Sequence, residues 1–314
     1  MKKHNRGKIF VSVVKLFIKY KKNMILPNFI LHSRKNESSD ESGIDSFTYC
    51  QDQLHFKNYP YPVSYRYNSR GFRDQEWPND LSELTNAIWC FGDSFTVGLG
   101  SPLNHTWPNI LQSRTGIRCI NVSMDGASNK WIARKILEVI TVIKPKLIVA
   151  QWSFMHRDEF YDETLSDEDR RRHTGPGNIN RLQINNCNLI KNLESQKNQS
   201  QIIHSFIPGS GFFDNDIVTE MWKDIKGPDW PDYPKNLQEF NSLKPGVVKE
   251  LTDFFKKYEL YQTYYQYLDY MNNLLHVPEI TIADYARDGQ HYDKVTATTF
   301  VDQLENLIAD LHLT

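Results

Sequence analysis

The sequence lacks the long apolar run that a membrane-spanning helix needs. Its most apolar N-terminal stretch, residues 9–20, is interrupted by Lys15 and Lys19 and is shorter than the about 20 residues that cross a bilayer. No small-residue cleavage site follows it, so we predict neither a signal peptide nor a transmembrane helix. The spacing of its apolar residues predicts an amphipathic basic helix instead.

Cysteine is also scarce. The chain has only four, and no two of them form a C-x-x-C pair: Cys50, Cys90, Cys119 and Cys187. This excludes a disulfide scaffold and the common zinc motifs, and it favours the cytoplasm or another reducing compartment. The histidines show no metal-ligand spacing either, so we expect no metal and no cofactor.

The formal charge of -1 hides an asymmetry between the first 35 residues and the rest of the chain. The first 35 residues contain ten Lys or Arg and no acid, which leaves 27 basic against 38 acidic residues, a net charge of -11, in the remainder. An acidic body argues against nucleic acid as the partner of the main domain. The basic arm is expected either to be solvated or to contact a protein assembly or a membrane surface.

A polar segment, residues 36–43, separates this arm from the apolar body and has the composition of a linker. We therefore predict a basic N-terminal arm and linker over residues 1–43 and one α/β domain over residues 44–314. The length would also allow two domains.

Five short apolar runs alternate with helical patterns in the body. The clearest helices are predicted over residues 128–143, capped by Ser128, and over residues 296–311. This alternation predicts a mostly parallel five-stranded sheet covered by helices on both faces. The predicted strands are Ala87–Phe91, Arg118–Val122, Leu147–Trp152, Ile202–Ile207 and Ile280–Ala283. Two insertions, residues 157–181 and 208–245, follow predicted strands and are expected either to wall the ligand crevice or to decorate the fold away from it.

Chemistry-bearing residues follow the first and the last predicted strands. Gly92-Asp93-Ser94 follows the first strand, and Asp288-Gly289-Gln290-His291 follows the last. A serine needs a base to become a nucleophile, and a histidine base needs a carboxylate that orients it. If both strands end at the same rim, Ser94, His291 and Asp288 are expected to form a catalytic triad. Each motif alone is also compatible with an ordinary turn.

In these residues the sequence resembles the SGNH hydrolases, or GDSL lipase/esterase family. The resemblance rests on Gly92-Asp93-Ser94, on the block at residues 121–129 and on Asp288-x-x-His291, in the family's order. It implies a three-layer α/β/α flavodoxin-like fold, with Ser94 as nucleophile, His291 as base and Asp288 as the orienting acid. It also implies that the backbone N–H groups of Ser94 and Gly126 form the oxyanion hole.

The sequence departs from the family pattern after the third strand, where the family has an asparagine that completes the oxyanion hole. This chain has Ser153 in that region, and either its hydroxyl supplies the third donor or the donor is missing. A lost donor typically costs about 10²–10³ in kcat. Asp93 and Arg157 are candidate substrate contacts, although Arg157 could equally form an internal ion pair. Trp222 and Trp230, in the second insertion, are candidate sugar contacts.

Two functions are compatible with these residues. The first is a serine ester hydrolase acting on a small acyl ester, such as an O-acetyl group of a glycan. The second is a catalytically weak or inactive binding or structural module that keeps the fold and docks to a larger assembly through the basic arm. Acyl transfer by the same triad is a third option. An Asn-x-x-Gly-Phe-Arg element at residues 68–73 is similar to one in SGNH-like proteins that look phage-borne. This similarity leaves a phage particle open as the location of the protein. Arg73, the last residue of the element, is expected either to be buried or to lie at the rim of the site.

Overall fold

The computed structural model describes most of the chain from residue 32 onward. The described residues are 32, 34–50, 52–154, 157–159, 171–173, 179–197, 199–208, 246, 249, 273–274, 276–277 and 280–311. The chain divides into residues 1–31 and a compact unit His32–Thr314, and all described residues belong to the second. The predicted amphipathic helix and both tryptophans proposed as sugar contacts, Trp222 and Trp230, therefore lie outside the described residues.

The central sheet contains four parallel strands, β3 (Ile88–Gly92), β4 (Cys119–Ser123), β5 (Leu147–Trp152) and β8 (Gln201–Phe206), in the order β4-β3-β5-β8. Every residue of β3, β4 and β5 is buried, as is expected for parallel strands covered on both faces. The class predicted from the sequence, a three-layer α/β/α fold with a parallel sheet, is thus confirmed.

Two minor two-stranded sheets and the remaining helices complete the described elements. The minor sheets are antiparallel: β1 (Ser38–Ser39) pairs with β2 (Tyr65–Arg66), and β6 (Arg157–Glu159) pairs with β7 (Arg171–His173). The helices are α1 (Gln53–Asn58), α2 (Ser94–Val97), α3 (Trp107–Thr115), α4 (Asn129–Val142), α5 (Ile179–Glu194) and α6 (Lys294–Asp310), with 3₁₀ turns at Leu81–Asn86 and Leu103–His105.

The two long helices predicted from the sequence form as expected. Ser128 caps α4 by accepting a hydrogen bond from the N–H of Trp131, and the apolar face of α4 covers one side of the sheet. On the other side α3 packs against α6, and Trp107 and Phe300 contact each other edge to face at 5.3 Å. Apolar side chains of α3 and α6 join those of the sheet in one core, which stabilises the unit by removing apolar surface from water.

The predicted fifth strand, residues 280–283, is the main difference. Ile280 packs into the core, but this segment forms no ladder with a strand among the described residues. The backbone N–H of Ala283 donates to Thr296 Oγ1 at 2.9 Å instead. Ile280 is buried and Ile282 is partly buried, whereas the residues that follow each of them are exposed, so only one face of the run is covered. The five-strand count is therefore corrected to four for the described residues.

The segment with linker composition is built into the compact unit. It supplies strand β1, and Arg34 beside it donates to the hydroxyls of Ser42 at 2.6 Å and Tyr67 at 2.8 Å. Asp45 accepts hydrogen bonds from Tyr65 at 2.5 Å and from Arg287 at 2.7 Å. Polar residues that cannot form an apolar core thus hold this segment through hydrogen bonds. Among the described residues, no helix has both the length and the hydropathy that crossing a bilayer requires.

Candidate active site

Ser94 lies at the carboxyl end of β3, where the chain turns directly into α2. The turn is tight, because a Cβ on Gly92 would overlap the side chain of Thr96 one turn later. Asp93 caps α2 by accepting a hydrogen bond from the N–H of Phe95 at 3.1 Å. Ser94 is the first residue of the helix and its side chain is almost fully buried, at 3% exposure.

Buried polar side chains hold α2 against the sheet. Thr96 donates to Gln151 Oε1 at 2.9 Å, and Asn121 Nδ2 donates to the carbonyl of Thr96 at 3.0 Å. Gln151 Nε2 donates in turn to the hydroxyl of Tyr292, the residue after His291, at 3.1 Å. This network links the ends of β3, β4 and β5 to the loop that carries His291.

Arg73 anchors the other end of α2. Its guanidinium is buried and donates to the carbonyls of Val97 at 3.1 Å, Gly98 at 2.6 Å and Ser101 at 2.8 Å. Gly98 ends the helix in the left-handed region, at φ 75°, so several carbonyls there lack helical partners. Burial lowers the pKa of Arg73 from its ordinary value. The structure thus places Arg73 beneath the serine helix and not at the rim.

Asp288 and His291 form a close pair. His291 Nδ1 lies 2.6 Å from Asp288 Oδ2, and the backbone N–H of His291 donates to Asp288 Oδ1 at 3.0 Å. Burial alone would raise the pKa of Asp288, but its hydrogen bonds and the attraction of the His291 ring outweigh burial, so the pKa lies below its ordinary value. A carboxylate facing Nδ1 assigns the hydrogen to that nitrogen and leaves the lone pair on Nε2.

The His291 loop packs against the segment that contains Ser94. The ring of His291 lies 4.4 Å from the ring of Phe95, the residue after Ser94. The loop also closes on Gly100, whose carbonyl accepts a hydrogen bond from the N–H of Arg287 at 2.9 Å. A Cβ on Gly100 would lie 2.8 Å from the Cβ of Ala286 and 3.1 Å from the carboxyl carbon of Asp288, and Gly100 has φ 75°, so this close approach favours glycine. The structure therefore brings the first and last motifs to one rim of the sheet.

Ser94 Oγ and His291 Nε2 have no hydrogen-bond partner among the described residues, and no bond between the two is present there. The backbone N–H groups of Ser94 and Gly126 likewise donate to none of the described residues. Gly126 lies in the turn after β4 with φ 65°. The N–H of Ser94 belongs to the first turn of α2, where helices leave N–H groups without helical partners, and Gly126 is only partly buried.

Ser153, Asp93 and Arg157 form a separate cluster at the end of β5. The Ser153 hydroxyl donates to Asp93 Oδ2 at 2.6 Å, and Arg157 donates to the same oxygen at 2.6 Å. Arg157 also donates to Ser153 Oγ at 2.9 Å. The single hydroxyl hydrogen of Ser153 therefore points at Asp93, and Asp93 itself is fully buried. The internal ion pair considered for Arg157 is present, with Asp93 as its partner.

A small polar cavity of about 210 Å³ opens beside the turn after β4. Ser123, Met124 and Asp125 line it from that turn, and Arg34, Tyr67 and Val97 are among the residues on its other sides. Ser94 is not among the lining residues. Within the described part of the chain, no group of three or more His, Cys, Asp or Glu side chains is arranged to hold a metal ion.

The side chains that hold α2 in place were not recognised as site residues from the sequence. Gln151 and Tyr292 are ordinary core residues by pattern, and they meet across 141 positions of the chain. Arg73 is the last residue of the Asn-x-x-Gly-Phe-Arg element, and its place in that element is the one signal in the sequence that pointed to it. Within this element Gly71 has φ 86°, and Phe72 beside it is buried.

No family model and no curated protein matches this sequence. Solved structures similar to it include the psychrotrophic esterase EstA from Pseudoalteromonas sp., at 14% identity over 73% of this chain and 100% of that chain, with a TM-score of 0.37. The lipase/acylhydrolase from Enterococcus faecalis is 16% identical over 71% of this chain and 94% of that chain, with a TM-score of 0.36. A member of the lipolytic protein G-D-S-L family from Veillonella parvula is 12% identical over 71% and 98%, with a TM-score of 0.31. All three TM-scores lie below 0.5, so these likenesses assign no role to any residue of the site.

Proposed function

We propose that this protein is a serine ester hydrolase with Ser94 as nucleophile, His291 as general base and Asp288 as the acid that orients His291. One observation carries the proposal: the buried Asp288–His291 pair, joined at 2.6 Å, lies against Phe95 directly beside Ser94. A solvated turn does not need a buried carboxylate–imidazole pair at a strand edge, whereas nucleophilic catalysis by serine does.

In this mechanism Ser94 Oγ attacks the carbonyl carbon of the ester while His291 Nε2 takes the hydroxyl proton. Asp288 keeps the Nδ1 hydrogen in place and stabilises the imidazolium that forms. The imidazolium then gives the proton to the leaving alcohol. Water enters by the same route, with His291 again as base, and releases the acid from Ser94.

The N–H groups of Ser94 and Gly126 are the proposed donors to the oxyanion that forms on the carbonyl oxygen. Their lack of other partners among the described residues supports this role, because preorganised donors need no rearrangement when charge develops. The Ser153 hydroxyl is a weaker candidate for an oxyanion donor than the sequence alone indicates, because its hydrogen is already bonded to Asp93.

We propose a small acyl group, such as the acetyl of an O-acetylated glycan, as the substrate. The sequence supports this choice, because it contains no long apolar segment that could line a tunnel for a fatty acyl chain. Contacts from Trp222 and Trp230 to a sugar remain part of this proposal.

The test measures release of p-nitrophenol from p-nitrophenyl acetate and from a long-chain analogue. Wild type, Ser94→Ala and His291→Ala are compared, with Ser82→Ala as the matched control because Ser82 is exposed and precedes β3, whereas Ser94 follows the other end of that strand. We expect turnover of the acetate by wild type and Ser82→Ala, and a loss of at least about 10³-fold in the other two. Full activity of folded Ser94→Ala would contradict the proposed triad.

A catalytically weak or inactive module that docks through the basic arm is the second candidate. The engaged Ser153 hydroxyl favours it, because two oxyanion donors then remain where three are usual. Labelling with a fluorophosphonate separates the candidates, since the reagent needs an activated serine. Labelled wild type and unlabelled Ser94→Ala support the enzyme, whereas an unlabelled, folded wild type supports the module and directs attention to the assembly or membrane surface that the arm would contact.

A further inference from the structure

Arg157 has more hydrogen-bonding capacity than its ion pair uses. One terminal nitrogen, Nη1, serves both Asp93 Oδ2 and Ser153 Oγ. Nε is buried and has no partner, and Nη2 has none among the described residues. These two nitrogens carry N–H groups on the same side of the planar guanidinium, an arrangement that matches an anionic oxygen.

An unused buried donor is costly to the fold. Leaving such a group unpaired typically costs about 1–3 kcal/mol, and the cost is larger for charged groups. Ion pairing with Asp93 explains why Nη1 is there, but it leaves the other edge of the guanidinium unexplained. Each such group in a folded protein calls for an explanation, and donation to a ligand or a reacting group is one of them.

The position of Arg157 ties that free edge to the nucleophile. Asp93, the partner of Arg157, directly precedes Ser94 in the chain. The guanidinium carbon of Arg157 lies 4.8 Å from the centroid of the Phe154 ring. The ring centroids of Phe154 and Phe95 lie 6.2 Å apart, and those of Phe95 and His291 lie 4.4 Å apart. Arg157 and His291 therefore stand at opposite ends of one row of rings that passes beside Ser94.

Building on the proposed function, we propose that Arg157 is a further catalytic residue, whose Nε and Nη2 groups donate to the oxyanion of the tetrahedral intermediate where the Ser153 hydroxyl does not. As the bond from Ser94 Oγ to the carbonyl carbon forms, the π electrons of the carbonyl move to its oxygen. Arg157 donates hydrogen bonds to that oxygen and transfers no proton to it. The hydroxyl proton resides on His291 and leaves with the alcohol when the C–O bond breaks.

A simpler role for Arg157 is to neutralise the buried carboxylate of Asp93, and a double substitution separates the two roles. Arg157→Met leaves the Asp93 charge unpaired, so its activity loss has two explanations. Asp93→Asn with Arg157→Met removes both charges and retains an amide oxygen that can cap α2. If neutralisation is the whole role, the double variant recovers the activity of Asp93→Asn.

The experiment uses the full chain and p-nitrophenyl acetate, and compares kcat and KM for wild type, Asp93→Asn, Arg157→Met, Arg157→Lys and the double variant. We expect the double variant to remain about 10²–10³-fold below Asp93→Asn in kcat, with KM changed only a few-fold, and Arg157→Lys to recover part of that loss. A kcat for the double variant within about threefold of Asp93→Asn would overturn the proposal.

Fluorophosphonate labelling distinguishes this failure from failure of the proposed function. Ser94 should still be labelled in the folded Arg157 variants, because the nucleophile and base are intact. An active wild type together with a fully recovered double variant rejects Arg157 alone. A folded wild type that neither turns over nor is labelled rejects both proposals. Circular dichroism of each variant shows whether a loss reflects misfolding, and the Asp93→Asn background supplies a folded reference if Arg157→Met alone does not fold.

Discussion

The loop before α6 carries two carboxylate–histidine pairs that differ in how the carboxylate is used. Asp288 pairs with His291, three residues later, and its remaining hydrogen bonds come from the backbone of the same loop. Asp293 lies only two residues beyond His291, but it pairs with His105, which is 188 positions away. Both carboxylates are buried, so burial alone does not tell the two pairs apart.

Three side chains from distant parts of the chain saturate Asp293. Ser101 donates to Oδ1 at 2.9 Å, His105 Nδ1 lies 3.0 Å from the same oxygen, and Tyr59 donates to Oδ2 at 2.5 Å. Burial, together with the negative charge and hydrogen bond of Asp293, raises the pKa of Tyr59 far above its ordinary value. Tyr59 thus stays neutral and remains a donor at all moderate pH values.

The difference shows how one loop divides two tasks. Asp293 fastens the loop to the segment between α2 and α3, while the hydrogen bonds of Asp288 all stay within the loop and hold His291 against Phe95. A carboxylate that accepts hydrogen bonds from three distant side chains is a structural anchor, whereas a carboxylate that bonds only its own loop fixes the position of the histidine in that loop. Substitutions in the two pairs should therefore separate activity from stability.

The largest expected effect is on activity, from Asp288→Asn. An amide at this position can no longer fix the Nδ1 hydrogen of His291, and the wrong tautomer leaves no lone pair on Nε2 for the Ser94 proton. We expect kcat for p-nitrophenyl acetate to fall by about 10⁴-fold, the loss seen when the aspartate of a serine protease triad is changed in this way. Steady-state kinetics on purified protein measures it.

The control for this substitution is its own unfolding curve at neutral pH. Asn keeps the size of Asp and can still accept hydrogen bonds from the backbone N–H groups of Gln290 and His291, so a folded protein is expected. A kcat within tenfold of wild type would contradict the role of Asp288, whatever the stability of the variant.

The next effect is on stability, from Asp293→Asn. The amide removes the charge that three donors share, and charge-assisted hydrogen bonds contribute about 1.5–3 kcal/mol each in favourable cases. We expect the free energy of unfolding to fall by about 3 kcal/mol in a urea titration, while the kcat of the folded fraction changes less than tenfold. A stable variant with a kcat as low as that of Asp288→Asn would erase the distinction between the two pairs.

The sequence was sufficient to predict those parts of the site whose determinants are local. Asp288 and His291 are three residues apart, and Ser94 follows an unmistakable apolar strand, so both could be found without a structure. The cap of α4 and the apolar faces of α4 and α6 were predicted for the same reason, since Ser128 and the helical spacing act within a few residues.

Contacts between distant residues could not be predicted in this way. The Asp293–His105 pair, the Arg73 bonds to α2 and the Thr96–Gln151 contact each join side chains that are far apart in the chain. The burial of Ile280 was visible in the apolar composition of its segment, but the donation of the Ala283 N–H to Thr296 was not. Ser153 shows the same limit, because its position was evident and the direction of its hydroxyl was not.

The smallest expected effect is a pH dependence that belongs to Asp288. Its pKa lies below the ordinary value of 3.8 in the folded protein, so the unfolded chain takes up the proton first as the pH falls. The stability that ionised Asp288 contributes is present above about pH 4 and is lost below it, by about 1.4 kcal/mol for each unit by which folding lowers the pKa. Urea titrations of wild type and Asp288→Asn at pH 6 and pH 3 measure this, and we expect the stability advantage of wild type to shrink at pH 3. An advantage that stays constant would show that Asp288 contributes no ionisation-linked stability, leaving orientation of His291 as its whole role.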